Sequence, residues 1–346
     1  MKIGIQISLN LKNKGGNEEY VHQLLNHLPM VDGYKNHQFF IFSKETLKWP
    51  FRWGWTQIRL SWEILKNRPD ILFVPAHTFP IVYPVLKYKY GVHPRLIVAI
   101  QGLEFKVVPK MYSWFQRLKL NFLIKRNIKK ADKIIVPSQN TKNDLIKYYQ
   151  IDKSKIFVIH HGVGNPSEGQ TSNYQLPNTK YLLYLGSGHK RKNIKGLIEA
   201  YKILKDKYQF KYNLIIAGSK NVGCPTSNIE GVVFAGCVDN EKKWELLKNA
   251  DVFVFVSFAE GFGFPVLEAQ KAGTPVVASN NSSFPEILGD SALLVNPYNP
   301  EEISEAIYKV LSSEQLRNEL IRKGQENVQR FSWPKCAEET FKIICA

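Results

Sequence analysis

Asp251-Val252-Phe253-Val254-Phe255-Val256-Ser257-Phe258-Ala259-Glu260-Gly261-Phe262-Gly263-Phe264-Pro265-Val266-Leu267-Glu268-Ala269 is the stretch that decides the fold. The apolar run from Asp251 to Val256 reads as a strand buried on both faces, and Pro265 suits the first turn of a helix. Between them lies a turn with two glycines. Strand, Gly-rich turn and helix in that order predict a parallel sheet with helices on its faces, and ligands in such sheets sit beyond the carboxyl ends of strands.

Working outward, the same alternation recurs on both sides. Tyr181 to Leu185, Asn213 to Ala217 and Thr274 to Ala278 read as strands, with helices expected near 193–206, 240–249, 265–272, 300–312 and 314–328. Upstream, Lys2 to Ser8, Gln38 to Phe42, Asp70 to Val74, Leu96 to Ile100, Lys133 to Val136 and Lys155 to Ile159 form a second series. The two are separated by a polar stretch rich in Gly and Pro, His161 to Lys180. The reading is α/β with two doubly wound domains: residues 1–165, a linker over 166–180, residues 181–330, and a final helix over 331–346 with Ser332 as its N-cap and Pro334 in its first turn.

Bulk properties agree. A chain of 346 residues suits two domains, and 44% hydrophobic with 22% charged residues excludes a disordered or fibrous class. Four cysteines without CxxC spacing read as reduced thiols, which fits the cytosol, and no signal sequence is recognised before the first strand. The apolar stretch Ile71 to Leu86 is interrupted by Pro75, His77, Pro80 and Pro84, so no transmembrane helix is expected. The net charge of +17 is lopsided: residues 1–175 hold 26 Lys+Arg against 11 Asp+Glu, and the remainder 21 against 19. Nucleic acid, an anionic membrane and a phosphorylated substrate are all compatible with that excess.

Glu260 and Glu268 flank the Gly-rich turn, and two carboxylates so placed can accept hydrogen bonds from the vicinal hydroxyls of a sugar or a ribose. The competing reading leaves Glu268 in solvent and the glycines as loop formers. Leu185-Gly186-Ser187-Gly188-His189-Lys190-Arg191-Lys192-Asn193 runs from a strand towards a helix, so three cations at a helix start offer a diphosphate site; a solvated charge run is the alternative.

On these residues the chain resembles the retaining glycosyltransferases of family 4, the "glycosyl transferases group 1", and in particular mannosyltransferases. The resemblance extends over Ala131-Asp132-Lys133-Ile134-Ile135-Val136-Pro137-Ser138, Gly273-Thr274-Pro275-Val276-Val277-Ala278, Ser283-Phe284-Pro285-Glu286 and Phe331-Ser332-Trp333. It implies the GT-B architecture: two Rossmann-like domains facing a cleft, an acceptor-binding N-terminal and a donor-binding C-terminal one, with the last helix crossing back to the first domain. It implies further that Glu260 and the amides of Phe262, Gly263 and Phe264 hold the donor sugar, that Glu268 takes the ribose, and that Arg191 and Lys192 grip the diphosphate beside Gly186, Ser187 and Gly188. On the acceptor side, Gly15 and Gly16 match the family's glycine pair. Gln101 stands where family members often carry His, and a neutral amide cannot titrate. His77 is a weaker candidate, and His161 follows a strand as well.

The expected reaction moves a hexose, with mannose first, from GDP-mannose or a UDP-sugar to a glycan or lipid-linked acceptor, with retention, in the synthesis of cell-surface polysaccharide or glycolipid. No cofactor is expected, and no metal, because protein cations neutralise the leaving group and no Asp-x-Asp occurs. A hydrolase or epimerase of the same fold is one alternative, and a basic nucleic-acid-binding protein another, although no motif supports base reading and no nucleic acid partner is expected. Two aromatic-basic stretches, Trp49-Pro50-Phe51-Arg52-Trp53-Gly54-Trp55 ahead of Ile58 to Lys66 and Met111-Tyr112-Ser113-Trp114-Phe115 ahead of Arg117 to Lys130, suit peripheral binding on the cytosolic face of an anionic membrane. Their aromatics could equally belong to the core with the cations as a solvated face.

Overall fold

The computed structural model describes residues 1–7, 15–43, 47, 58–75, 94–165, 179–219 and 229–346. His77, Trp49 to Trp55 and most of the expected linker lie outside the described residues. The chain divides into two compact units, Met1–Gly162 with Ser332–Ala346, and Val163–Phe331.

The first unit holds β1 (Lys2–Ile7), β2 (Gln38–Ser43), β3 (Ile71–Val74), β4 (Arg95–Ala99), β5 (Lys133–Val136) and β6 (Ile156–Val158) in the order β2-β1-β3-β4-β5-β6. The second holds β7 (Tyr181–Leu185), β8 (Asn213–Ala217), β9 (Val232–Gly236), β10 (Val252–Phe255), β11 (Val276–Ser279) and β12 (Leu293–Val295) in the order β12-β11-β10-β7-β8-β9. All neighbouring strands are parallel. This is the doubly wound α/β arrangement that the alternation predicts, twice over. Two strands escape the sequence reading, β9 and β12. Both are short apolar runs at sheet edges, Val-Val-Phe-Ala-Gly and Leu-Leu-Val, with half-exposed residues, and a short apolar run does not by itself separate a strand from other structure.

Aspartates pin the registers. Asp70 Oδ2 accepts from the Lys2 amide at 2.7 Å, Asp132 Oδ2 from Leu96 at 2.7 Å and Asp251 Oδ2 from Tyr181 at 2.9 Å. Each lies just before one strand and bonds the adjacent strand near its start. A one-residue slip would break the bond and turn buried side chains outward.

The C-terminal helix, Trp333–Cys345, starts as its sequence predicts, with Ser332 Oγ accepting from the Lys335 amide and Pro334 in the first turn. Its buried residues Trp333, Cys336, Ala337, Thr340, Phe341 and Ile344 recur at helical spacing. They belong to the first unit: Lys133 Nζ donates to Ile343 O at 3.2 Å, and the Phe341 ring stands edge-on to His37 at 5.7 Å. The helix therefore returns to the N-terminal strands. The outgoing crossing comes at Gly162, three residues before the expected limit, because the Val163 amide donates to Phe331 O at 3.4 Å and joins the second unit.

Trp333 is 5% exposed, so Trp333→Ala should destabilise the first unit by roughly 3–5 kcal/mol. Amide exchange is expected to accelerate in β1 to β6 and to stay unchanged in β7 to β12. Equal acceleration in both sheets would contradict the assignment of this helix.

Candidate functional site

In the second sheet β7 and β10 are neighbours, yet the chain leaves β7 towards β8 and β9 and leaves β10 towards β11 and β12. That reversal is a topological switch point, where the loops beyond the two strands part and leave room for a ligand. The basic loop follows β7 and the Gly-rich turn follows β10. Both sequence motifs therefore meet at one place.

Their meeting is ionic. Glu260 Oε1 lies 2.6 Å from Lys192 Nζ and 2.8 Å from an Arg191 guanidinium nitrogen, which also donates to Ala259 O at 2.9 Å. The backbone repeats the link, with the Phe258 amide donating to Arg191 O at 2.8 Å. Glu260 is 7% and Lys192 9% exposed, and the ammonium also sits 4.8 Å from the centre of the Phe255 ring. Burial alone would raise the Glu260 pKa; the charges of Arg191 and Lys192, with their hydrogen bonds, outweigh it and bring the carboxyl from 4.5 down to about 2. It is a carboxylate at neutral pH.

Local structure aims these groups. Lys190–Lys192 forms a single 3₁₀ turn, with His189 Nδ1 facing the Arg191 amide at 3.3 Å. Asn193 then takes a left-handed conformation (φ 57°), its Oδ1 accepts from the Gly196 amide and its Nδ2 donates to Pro297 O at 2.7 Å. The long helix Ile194–Tyr208 thus begins within one residue of its expected start, and the three cations precede it in a turn of their own. Lys192 points inward and Lys190 outward, so the solvated-face reading holds for Lys190 alone.

The Gly-rich turn is braced from the segment after β11. Ser279 Oγ donates to Ser257 O at 2.6 Å, Asn281 Nδ2 to Phe258 O at 3.1 Å, and Ser283 Oγ to both Glu260 O and Phe262 O, at 3.2 and 2.9 Å. None of the three is charged, and only Ser283, the first residue of Ser283-Phe284-Pro285-Glu286, belongs to a stretch of the resemblance. The signal they share is the run of small polar residues Ser279 to Ser283 at a strand end. Gly263 enters the helix Phe264–Lys271 at φ 109°, where a Cβ would press on the Phe284 ring. Phe262 is buried, edge-on to Phe331 at 5.7 Å and to Phe264 at 5.4 Å, which fixes the turn's outer limb.

Glu268 is not part of this cluster. Its Oε1 lies 2.6 Å from Lys243 Nζ, on the helix Asn240–Asn249, a partner the sequence reading missed because nothing in the spacing links positions so far apart. The resemblance puts Gly186, Ser187 and Gly188 beside the diphosphate. Here the Gly186 amide donates to Ala217 O at 3.0 Å and the Gly188 amide to Ser219 O at 2.9 Å, while Ser187 O accepts from Tyr184 Oη at 3.0 Å. Gly218 passes so close that a Cβ there would collide with Gly186 O. These residues fasten the basic loop to its neighbour.

In the first unit Gly15 caps the helix Gly16–His27 through its carbonyl, which accepts from Glu19 at 2.9 Å. Gln101, one residue beyond Ile100 after β4, has its Oε1 2.7 Å from His161 Nε2. The His161 ring lies 4.4 Å from Tyr20 and 5.9 Å from Trp333, and burial, with His160 nearby, brings its pKa from 6.5 to about 3. His161, after β6, is thus a buried, neutral imidazole that holds the Gln101 amide. Among the described residues no group of three or more His, Cys, Asp or Glu could hold a metal.

Two doubly wound parallel sheets, the second with charged loops at its switch point, define the two-domain α/β class known as GT-B. Sucrose-phosphate synthase from Thermosynechococcus elongatus shares the fold with a TM-score of 0.78 at 19% identity, covering 99% of this chain and 98% of that one. WaaG, a glycosyltransferase involved in lipopolysaccharide biosynthesis, does so with 0.72 at 14%, covering 99% of each chain. The chain belongs to the family 4, group 1 glycosyltransferases: the Glycosyltransferase Family 4 model matches residues 29–164 and the Glycosyl transferases group 1 model residues 170–327. It is 36% identical over 175 residues to O-antigen chain mannosyltransferase B of Escherichia coli (48% of this chain, 46% of the relative). It is 28% identical over 231 residues to the serotype-specific mannosyltransferase WbdA of the same organism (60% and 28%). The match therefore spans less than half the length of these relatives.

Because the folded pKa of Glu260 is depressed, its stabilisation is present above 4.5 and lost as pH falls towards about 2. Glu260→Gln leaves two cations without their shared carboxylate and should cost roughly 3–5 kcal/mol at neutral pH. In urea titrations the gap between wild type and variant should narrow as the pH is lowered through that window. A constant gap would show that the charge is not its source.

Proposed function

We propose that the chain transfers a hexose, mannose in the first instance, from a nucleotide-diphosphate sugar to a glycan or lipid-linked acceptor with retention of configuration. The observation that carries this reading is the buried Arg191–Lys192–Glu260 cluster at the switch point of the second sheet. The mannosyltransferase relatives support the sugar, and O-antigen chain mannosyltransferase B supports a cell-surface polysaccharide as the product. The donor is GDP-mannose, with a UDP-sugar as the other choice; HepE of Anabaena, of like fold, is known in complex with UDP and glucose.

Glycosyl transfer passes through an oxocarbenium-like state, and the leaving diphosphate gathers charge as the bond breaks. Arg191 and Lys192 stabilise that charge, and Glu260 keeps both cations in place while its remaining acceptor capacity meets a donor-sugar hydroxyl. Cations already in position make a divalent metal unnecessary. Glu268 takes the ribose hydroxyls, steadied by Lys243.

Glu260 is ion-paired with two cations that hold its carboxyl at about 2, which leaves it too weak a base to take the acceptor's proton. Gln101 does not titrate, and His161 is neutral and faces Gln101. The acceptor proton therefore passes to the departing phosphate oxygen on the same face of the sugar, which gives retention. Gln101 contributes a hydrogen bond, its orientation set by His161. The excess charge of residues 1–175 favours peripheral association with the cytosolic face of an anionic membrane, where a lipid-linked acceptor would be reached.

A thermal-shift panel of nucleotide-sugars tests the donor: GDP-mannose should stabilise most, and Glu268→Ala should abolish the shift. With the preferred donor, Arg191→Ala should lower kcat roughly 100-fold or more, chelators should leave turnover unchanged, and NMR should find the donor's anomer in the product. Undiminished stabilisation of Glu268→Ala would overturn the ribose assignment, and an inverted anomer the mechanism. Release of sugar without acceptor would favour a hydrolase.

A further inference from the structure

The segment that follows β12, Asn296-Pro297-Tyr298-Asn299, sets an aromatic ring against the start of the Gly-rich turn. Tyr298 stacks on Phe258, with ring centroids 4.7 Å apart and planes inclined by 27°. Phe258 takes one face of the ring and the other is left to water: Tyr298 is 64% exposed, more than any other large apolar or aromatic side chain among the described residues of the second unit.

No loose loop holds this ring out. Asn296 Oδ1 accepts from the Tyr298 amide at 3.0 Å, the Asn296 amide donates to Glu302 Oε1 at 2.9 Å, and Pro297 O accepts from Asn193 Nδ2 at 2.7 Å. Asn299 then caps the helix Pro300–Ser312. The Phe258 backbone is fixed as well, its amide on Arg191 O and its carbonyl on Asn281 Nδ2. A tyrosine kept in water on so restrained a backbone has little freedom left to lose, so a ligand laid on it binds at low entropic cost.

Position and chemistry indicate the ligand. Glu268 and its partner Lys243 belong to the helices Phe264–Lys271 and Asn240–Asn249. The helix Pro300–Ser312 packs instead on Ile194–Tyr208, through the Tyr208–Tyr308 stack at 3.8 Å and the Lys207–Glu305 pair at 3.1 Å. Right-handed connections put these two pairs of helices on opposite faces of the sheet. The ribose, assigned to Glu268, therefore leaves the Tyr298 side of Glu260 to the sugar that is received. The segments beside the ring, Asn280 to Ser283 and Asn296 to Asn299, contain no charged residue and are joined where the Asn280 amide donates to Val295 O at 2.8 Å. A phosphate or carboxylate finds no cation in either. A pyranose suits both features, because its C–H face lies flat on an aromatic ring while its hydroxyls meet neutral amides at the rim.

We propose that the Tyr298–Phe258 stack is a subsite for a pyranose ring of a neutral acceptor glycan, held on the open face of Tyr298 beside the donor sugar at Glu260. The subsite rests on the transfer function proposed above and gives the donor-binding unit a share in holding the acceptor.

Saturation-transfer NMR on the full chain, with GDP or UDP present and a panel of neutral trisaccharides of mannose, glucose, galactose and N-acetylglucosamine, tests it. At least one trisaccharide should bind wild type, and Tyr298→Ala should weaken that binding about tenfold. Tyr298→Phe should bind as wild type does. Tyr298→Leu still covers Phe258 but offers no flat face, and should bind as weakly as the alanine variant. The side chain is exposed, so melting temperatures should agree throughout. Undiminished binding by Tyr298→Ala or Tyr298→Leu, or no trisaccharide bound by wild type, would overturn the subsite. A nucleotide-sugar thermal shift lost in Tyr298→Ala while trisaccharide binding persists would assign the ring to the donor's base and overturn it too. The transfer function is judged separately: trisaccharide binding through Tyr298 in a wild type that no nucleotide-sugar stabilises would leave the subsite standing and count against transfer alone.

Discussion

Glu260 carries a full negative charge with almost no access to water, and that is tolerable only because two cations from a single loop converge on one of its oxygens. The second unit is arranged around that requirement. Arg191 and Lys192 reach the carboxylate because β7 and β10 are neighbours and both loops leave the same end of the sheet. Asn193 ends the 3₁₀ turn and starts the next helix, so that the preceding side chains are presented inward. Ser283 and Asn281 hold the carbonyls of the turn in which Glu260 sits, and those bonds come from the segment after a third strand, β11. Ion pairs inside proteins are costly to desolvate, so the arrangement is better understood as fixing position than as adding stability. A site that must stabilise charge at the moment of reaction needs its cations already in place.

The first unit has a neutral counterpart. His161 is enclosed by Tyr20, Trp333 and Gln101, which come from the first helix, the last helix and the loop after β4. Burial keeps its ring uncharged, and Nε2 holds the Gln101 amide. The last helix therefore does more than cover apolar strands: its first aromatic residue forms one wall of the pocket that orients a candidate acceptor-side group. Trp333 occupies that place because Ser332 and Pro334 set where the helix begins.

What the sequence discloses follows from the range of the interactions. Strands covered on both faces must be apolar along their whole length, so Lys133–Val136, Tyr181–Leu185 and Asn213–Ala217 could be read to the residue. β9 and β12 are apolar too, but so short and half-exposed that the pattern alone does not separate them from other structure. The motifs disclose which loops matter, but not that Lys192 and Glu260 bond one another across 68 positions, nor that Lys243 answers Glu268. Those pairings are set by strand order, which no local pattern encodes. The Gly186 and Gly188 amides point the same way: a glycine in a loop signals close backbone approach, and only the fold tells whether the approaching group is a ligand or, as here, the neighbouring strand. The aromatic-basic helix was open to two readings, core or interface, and the exposure of Trp114 and Phe115 takes those two residues out of the core.

The uneven charge of the chain is best understood through the same contrast. Lysines 192 and 243 are drawn into partly or fully buried pairs with single carboxylates, and the part of the chain that contains them is close to neutral. Lysines 125 and 129 lie on a helix that has no carboxylate at all, exposed in line with an apolar patch, within the half that holds nearly all the excess. One residue type therefore meets two electrostatic demands. A buried ammonium needs a fixed counter-ion, and that counter-ion fixes its position. An exposed one keeps its hydration and its freedom, and it acts collectively, through a field that extends about a Debye length and that a surface of many anions answers better than any single one.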